Sequence, residues 1–563
     1  MTGNFLDSTP PQLLRRVRRV AIALLIVAIG LRFATLDRKV YWHDEVFTSM
    51  VITARPRSYM TADLFQNKLV TPADLLAYQQ FVPELTLADM LVRQGQEDVQ
   101  HPPFYYMLLR FWAQLWGTAP AVMRGFSALL SVLIFPAVYW LCLELFESSL
   151  SGWVAIALFA VSPVHLVFAQ EAREYGFWTV LVLVTSALLL RAVRSPNWQN
   201  WALYGLSMAL ACYTALFSLG VAIGHGAYVM GIEGGIKRGI EGGTNGGNRW
   251  FRARLGRRTV AFGVAMGLVA LSFTPWLYFI ATSQEALGNT TSWTSVSLPL
   301  RFTLQLLAFN FSTGFVDFNA AGSDRAIYGL ILPLLGLQTY AMVWLVRSAP
   351  GRVWWFIVTL VGSTALLLWL PDLLFGGQRF TVARYVLACV VGLQLAVVYL
   401  LSTWLVAPQR WQARLAQLVL ALLIAIGLLS CGVYSRADTW GNKVLNSNYH
   451  QLAELINRSD RPLILADSYD HFPVSLISLS YLLKPATQLL LLPNVGSSFA
   501  IQTLPAGVDT VFLFNLPDGF RQRFEAWSEQ ALTLAFEDYW NQVWQTTAPP
   551  SSDLDPTPAD PEP

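Results

Sequence analysis

Eleven stretches of this chain are apolar for long enough to cross a lipid bilayer, and no other sequence feature restricts the fold as much. They lie near 17–36, 121–146, 150–169, 176–194, 199–214, 215–232, 259–281, 326–347, 353–372, 385–406 and 413–434. A helix needs about 20 residues to span the hydrocarbon core. Inside lipid, backbone polar groups must be satisfied within the chain, so these runs read as helices. The composition agrees, with 54% hydrophobic and 13% charged residues, where an ordinary soluble domain carries about 25% charged residues. A formal charge of +3 leaves no electrostatic footprint for nucleic acid.

The distribution of arginine and lysine then orients the spans, since basic loops stay on the cytoplasmic side. Arg15, Arg16, Arg18 and Arg19 precede the first span, and Arg191 and Arg194 follow the fourth. Lys237, Arg238, Arg249, Arg252, Arg254, Arg257 and Arg258 fill the loop after the sixth. Arg347 with Arg352, and Arg410 with Arg414, mark two later loops. With eleven spans all of these fall on one side, which makes the N-terminus cytoplasmic. The multi-pass protein then sits in a cell (inner) membrane, and a C-terminal domain lies outside.

Segment 103–117 is excluded as a span. It is about 15 residues long, broken by Arg110 and ended by Gly117, and counting it would turn the later basic loops outward. It reads as an aromatic helix lying in the interface. The basic start and apolar core of the N-terminus lack a small-x-small site, so no cleaved signal peptide is expected. Arg32, near the outer end of the first span, can snorkel or face a polar site, and snorkelling is the default. All four cysteines fall in or at the end of spans, without the spacing of a disulfide or metal framework.

The expected architecture is a helical polytopic membrane domain, 1–434, with interfacial helices in its first outer loop at about 37–120. A small α/β domain follows at 435–546, and 547–563, rich in Pro, Ser and Asp, reads as disordered. In the α/β domain 462–466, 489–492 and 511–514 read as short buried strands. The glycine-rich stretch at 231–247 lacks the Gly-Lys-Ser/Thr ending of a phosphate-binding loop and reads as a linker.

Ionisable residues inside spans are costly and mark transport paths. The middles of the seventh to eleventh spans hold none, and His225 stands alone in the sixth. A proton-coupled transporter or lipid flippase places its polar groups near the midplane, and a non-catalytic scaffold leaves the outer charged clusters without a purpose. Those clusters are Asp44-Glu45 after the first span, Gln170 to Tyr175 after the third, and Gln378 to Tyr385 entering the tenth. Gln100-His101-Pro102-Pro103 heads the interfacial helix. Acids and arginines at one membrane face can bind a phosphate while activating a hydroxyl, and the forked guanidinium suits the phosphate. The bland alternative for Asp44 and Glu45 is a helix N-terminus, which also favours acids. For Arg173 it is a structural bridge to Glu171 or Glu174, and for Arg379 and Arg384 it is an anchor to anionic headgroups.

The segments LRFATLDRKVYWHDEVFT, QHPPFYYMLLRFW, AQEAREY and RFTVARY, in this order, resemble the membrane-embedded C-class glycosyltransferases, in particular the family 39 and protein-mannosyltransferase-like group of bacteria. The resemblance runs over about the first 430 residues. It implies inverting transfer of a sugar from a polyprenyl-phosphate donor to an acceptor outside the cytoplasm, the acceptor being a protein, lipid or glycan. Asp44, with Glu45 beside it, takes the place of the general base, and two adjacent carboxylates in a partly desolvated site raise at least one pKa. His101, Pro102 and Tyr105 fall on the acceptor side. Glu171, Arg173, Glu174 and Tyr175 match the second-loop motif, with either glutamate as the second acid. Arg379, Arg384 and Tyr385 stand where the donor phosphate is expected. The resemblance leaves a divalent metal at Asp44 and Glu171 open and implies no other cofactor. The nearest enzyme alternative is an oligosaccharide ligase or polymerase with a diphosphate-linked donor.

Overall fold

The computed structural model describes residues 9–234, 256–319, 327–469, 472–494, 501 and 503–547. The glycine-rich linker from 235 onward, the basic residues within it and the tail from 548 lie outside the described residues. Contacts divide the chain into two units, Met1–Leu36 with Leu91–Ala437, and Asp37–Met90 with Asp438–Pro563.

The first unit is helical. Seven helical stretches among the described residues are long and apolar enough to cross a membrane: Pro120–Phe146, Tyr175–Arg194, Arg257–Thr282, Tyr328–Ser348, Gly351–Phe375, Leu387–Leu405 and Arg410–Arg436. Helices also stand at the other expected spans, as Pro11–Phe33, Ser149–Ala160, Trp198–Cys212 and Ser218–Gly234. The expected run at 150–169 is interrupted after Ala160 and resumes as Pro163–Val167, because a proline fits the first turn of a helix and not its interior. Tyr175–Arg194 and Leu387–Leu405 bury most of their length and form the centre of this unit. Arg257–Thr282 and Arg410–Arg436 turn Leu268, Leu271, Leu418 and Leu429 outward. Such leucine-studded faces suit hydrocarbon rather than water.

Within this unit the default reading of Arg32 is corrected, and His225 is packed, as a lone histidine in a span is expected to be. Arg32 does not snorkel: it is 1% exposed, its Nε donates to Ser131 Oγ at 3.1 Å, and its guanidinium lies 4.7 Å from the Phe135 ring. The hydroxyl and the ring supply inside the protein what the interface would have supplied. His225 is buried between Ser186 Oγ and Tyr204 Oη at 3.2 and 3.3 Å, a packed histidine.

The second unit is built on a six-stranded sheet: β1 (Lys68–Val70), β2 (Pro462–Asp467), β3 (Gln488–Leu492), β4 (Thr510–Phe514), β5 (Leu532–Glu537) and β6 (Gln542–Thr546), ordered β1-β3-β2-β4-β6-β5. β2 pairs in parallel with β3 and β4, and the remaining pairs are antiparallel. Every residue of β2 is buried, as expected for a central parallel strand covered on both faces. Leu463, Leu465, Val511 and Leu513 join Phe520 and Phe524 of the Asp518–Ser528 helix in one core. The three strands expected from the sequence are β2, β3 and β4.

β1 comes from the first outer loop, with Lys68 opposite Leu491 and Val70 opposite Leu489. The His43–Ile52 helix of that loop shares contacts with Phe472–Ser480, and Ser478 Oγ donates to the Tyr41 carbonyl at 2.6 Å. Half of the loop thus folds with residues some 400 positions later. Its other part, from Leu91, joins the helical unit.

Candidate functional site

The helical unit gathers three of the four motifs around one turn of chain. Gln170 anchors this turn: its Nε2 donates to the carbonyls of Leu31 and Ala34, both at 2.7 Å, at the C-terminal end of the first helix. The next residues, Glu171 to Tyr175, are all buried. Gly176 lets them close, since a Cβ there would meet the Phe168 carbonyl oxygen at 2.7 Å. Backbone cannot yield as a side chain can, so Gly176→Ala is expected to destabilise the helical unit by about 1–3 kcal/mol, read by thermal unfolding.

Arg173 is the hub. Its Nη2 donates to His101 Nε2 at 2.7 Å and to Tyr175 Oη at 3.3 Å. Its Nε stands 3.4 Å from Glu174 Oε2, an ion pair with both side chains 2% exposed. Glu174 also accepts from Tyr106 Oη at 3.0 Å. Burial holds the Tyr106 hydroxyl well above the usual phenol range, with Arg173 opposing the shift and Glu174 adding to it, so Tyr106 remains a proton donor. His101 Nδ1 faces Asp98 Oδ1 at 2.8 Å. Pro102 and Pro103 lead from His101 into the Phe104–Trp116 helix, whose first N–H donates to the Tyr213 carbonyl at 2.9 Å. That helix buries Tyr105, Tyr106, Leu109 and Arg110 and exposes Phe111, Leu115 and Trp116, a two-faced distribution.

Tyr175 links this network to the last motif. The guanidinium of Arg173 lies 5.5 Å from its ring and that of Arg384 lies 5.8 Å from it. Arg384 also stands 5.5 Å from the rings of both Trp293 and Tyr385, and Tyr385 in turn packs on Phe217 at 4.3 Å. Two arginines therefore approach one tyrosine. Arg379 is placed elsewhere. Its Nη1 is 2.9 Å from Asp372 Oδ1, and Nη2 donates to Ser295 Oγ at 3.0 Å, so its charge is balanced locally.

Asp44 and Glu45 belong to the second unit, in the first turn of the His43–Ile52 helix. The helix dipole favours both there, and the preceding Trp42 supplies no side-chain cap. The two carboxylates differ sharply. Glu45 is fully buried and 3.2 Å from Lys443 Nζ, which is 1% exposed and 5.2 Å from the Trp42 ring. Asp44 is half-buried.

Several contributors are absent from the sequence reading. Asp98 and Tyr106 complete the cluster, Lys443 holds Glu45, and Asp372 holds Arg379. Tyr105, expected at the acceptor side, donates to or accepts from Ser127 Oγ at 2.6 Å in the core, and its neighbour Tyr106 faces Glu174 instead. Helical phase decides between the two tyrosines. As for a metal, Asp44 and Glu171 lie in different units, and the described residues contain no group of three or more His, Cys, Asp or Glu able to hold an ion.

Residues 100–231 match the family model described as dolichyl-phosphate-mannose-protein mannosyltransferase. The resemblance seen in the motifs therefore holds over a segment that includes His101-Pro102-Pro103 and the 170–175 turn. Asp44 and the 378–385 motif lie outside it. No curated protein matches the sequence. Among solved structures, the apo crystal structure of ArnT from Cupriavidus metallidurans is similar at 13% identity, covering 93% of this chain and 97% of that one, with a TM-score of 0.47. The apo oligosaccharyltransferase of Archaeoglobus fulgidus gives 11% identity, 84% and 65% coverage and a TM-score of 0.45. Arabinofuranosyltransferase AftD from Mycobacteria gives 13%, 94%, 40% and 0.41. Likeness at these identities and scores carries neither activity nor residue roles across.

Proposed function

We propose that the protein is an inverting membrane glycosyltransferase that moves a sugar from a polyprenyl-phosphate donor to an acceptor hydroxyl or phosphate. In this reading eleven spans place the N-terminus in the cytoplasm and the α/β domain outside. The observation that carries the proposal is the approach of Arg173 and Arg384 to Tyr175, within and beside the segment that matches the mannosyltransferase model. The description of that model names a dolichyl-phosphate-linked sugar, which supports a phosphorylated polyprenol as carrier.

The chemistry follows from charge. When the bond between the anomeric carbon and the phosphate oxygen breaks, the lipid phosphate gains negative charge, and cations placed there beforehand lower the barrier. Arg173 and Arg384 supply that charge. Arg173 is shared with Glu174, and Arg384 is set among aromatic rings. The acceptor hydroxyl must lose a proton as it attacks, and Asp44 is the base assigned to take it. Arg379 is spent on Asp372.

The test is transfer by the purified protein from polyprenyl-phosphate sugars to extracted envelope acceptors. Arg384→Gln is expected to raise the donor KM about tenfold or more, as loss of a charged hydrogen-bond donor does. Arg379→Gln is expected to keep donor kinetics near wild type and to cost about 1 kcal/mol of stability, because it strips Asp372 of its partner at a partly exposed site. Equal effects of the two on KM would overturn the assignment of Arg384. Absence of turnover with every polyprenyl-linked sugar would overturn the activity.

A further inference from the structure

We propose that Asp98 and His101 form a positioning pair for Arg173, in which the imidazole is held as the tautomer that accepts from the guanidinium. The inference deepens the reading above and depends on it for the role of Arg173.

A guanidinium carries only donors and keeps its charge. The 2.7 Å contact from Arg173 Nη2 to His101 Nε2 therefore needs a lone pair on that nitrogen. The ring hydrogen must then sit on Nδ1, and Asp98 Oδ1 is there to accept it at 2.8 Å. Asp98 is itself fixed, since Gln100 Nε2 donates to the same oxygen at 2.6 Å. Gln100 Oε1 accepts from Thr290 Oγ1 at 3.0 Å, and Gln94 Nε2 donates to the His101 carbonyl at 2.7 Å. The remaining groups facing the ring are the Glu174 carboxylate, 3.9 Å from Nε2, and the Tyr106 ring at 6.4 Å. The orientation of the imidazole is thus set from three stretches of chain.

The arrangement governs Arg173. The guanidinium faces Glu174 on one edge and His101 with Tyr175 on the other. If Nε2 becomes a donor, two N–H groups oppose each other, while the attraction of Glu174 remains. The guanidinium then turns toward Glu174, away from Tyr175 and from the place it shares with Arg384. His101 acts through Arg173, so it is a positioning residue.

Asp98→Asn tests this. An asparagine oxygen can still accept from Gln100 and Nδ1, but the carboxylate charge that holds the hydrogen on Nδ1 and makes Nε2 a strong acceptor is gone. His101→Gln offers Arg173 an amide oxygen that has no tautomer to choose. The full chain in lipid nanodiscs is assayed for binding of polyprenyl phosphate, with neutral polyprenol as control, and for donor KM and kcat. Asp98→Asn is expected to weaken polyprenyl-phosphate binding and raise KM about tenfold, the scale of one lost charged hydrogen bond. Polyprenol binding should not change. His101→Gln should bind polyprenyl phosphate more tightly than His101→Ala, and adding Asp98→Asn to His101→Gln should have no further effect. Equal harm from Asp98→Asn in both backgrounds, or none in either, would overturn the proposal. So would a His101→Gln protein whose kcat falls as far as that of His101→Ala, since the imidazole would then do chemistry itself. If Asp98→Asn fails to fold, the contrast of His101→Gln with His101→Ala still decides. A wild type that binds polyprenyl phosphate but transfers nothing would overturn the glycosyltransferase reading and leave the binding comparison intact.

Discussion

Asp44→Asn is expected to lower sugar transfer by roughly a hundred- to ten-thousand-fold, the range that a positioned general base contributes. Thermal unfolding should stay near that of wild type. The substitution keeps the shape, exchanges one acceptor oxygen for a donor, and removes the charge and the ability to take a proton. Asp44 can play this part and Glu45 cannot, although the two are adjacent. Glu45 is fully buried against Lys443, and its charge is committed to that pair. Asp44, half-buried one residue earlier, keeps access to the surface of its helix turn. A merely dipole-stabilising aspartate predicts the reverse pattern: a stability loss of about 0.3–1 kcal/mol with transfer intact. Single-turnover transfer from a polyprenyl-phosphate sugar, measured beside unfolding temperature, separates the two. Transfer at the wild-type rate would remove Asp44 from the mechanism.

The helical unit was largely legible because crossing a bilayer demands a length of apolar chain, and length is a local property. Helices stand at each of the eleven expected positions, and among the described residues seven stretches meet the length and hydropathy needed to span. The central strands were legible for a similar reason: a parallel strand covered on both faces is a continuous apolar run, as Pro462-Leu463-Ile464-Leu465-Ala466 is. β1 left no such mark, being three residues long and stabilised by pairing with a strand from the far end of the chain. The candidate site divides in the same way. Charged residue types near span ends pointed to Arg173, Glu174, Arg384 and Asp44. Which of them is already neutralised is a matter of long-range pairing. Neither the Lys443–Glu45 pair nor the meeting of Arg384 with Tyr175 leaves a local spacing to read. Even Asp372, only seven residues before Arg379, stands at no spacing that marks it as the partner.

The second large effect concerns that hidden lysine. Lys443→Met is expected to destabilise the α/β unit by about 3–5 kcal/mol, because removing one partner of a buried ion pair leaves the other charge uncompensated. Methionine nearly preserves the aliphatic stem, so packing against Trp42 changes little and the loss reports the charge. Glu45→Gln combined with Lys443→Met removes both charges and is expected to recover most of the stability, since a buried pair replaced by neutral groups of similar volume is often close to neutral. The measurement is unfolding of the four proteins of this double-mutant cycle. Strong coupling means that Lys443 holds Glu45 in its ion pair, which supports Asp44 rather than Glu45 as the base. Simple additivity would mean that Glu45 is not held by Lys443, and the assignment of the base between the two acids would reopen.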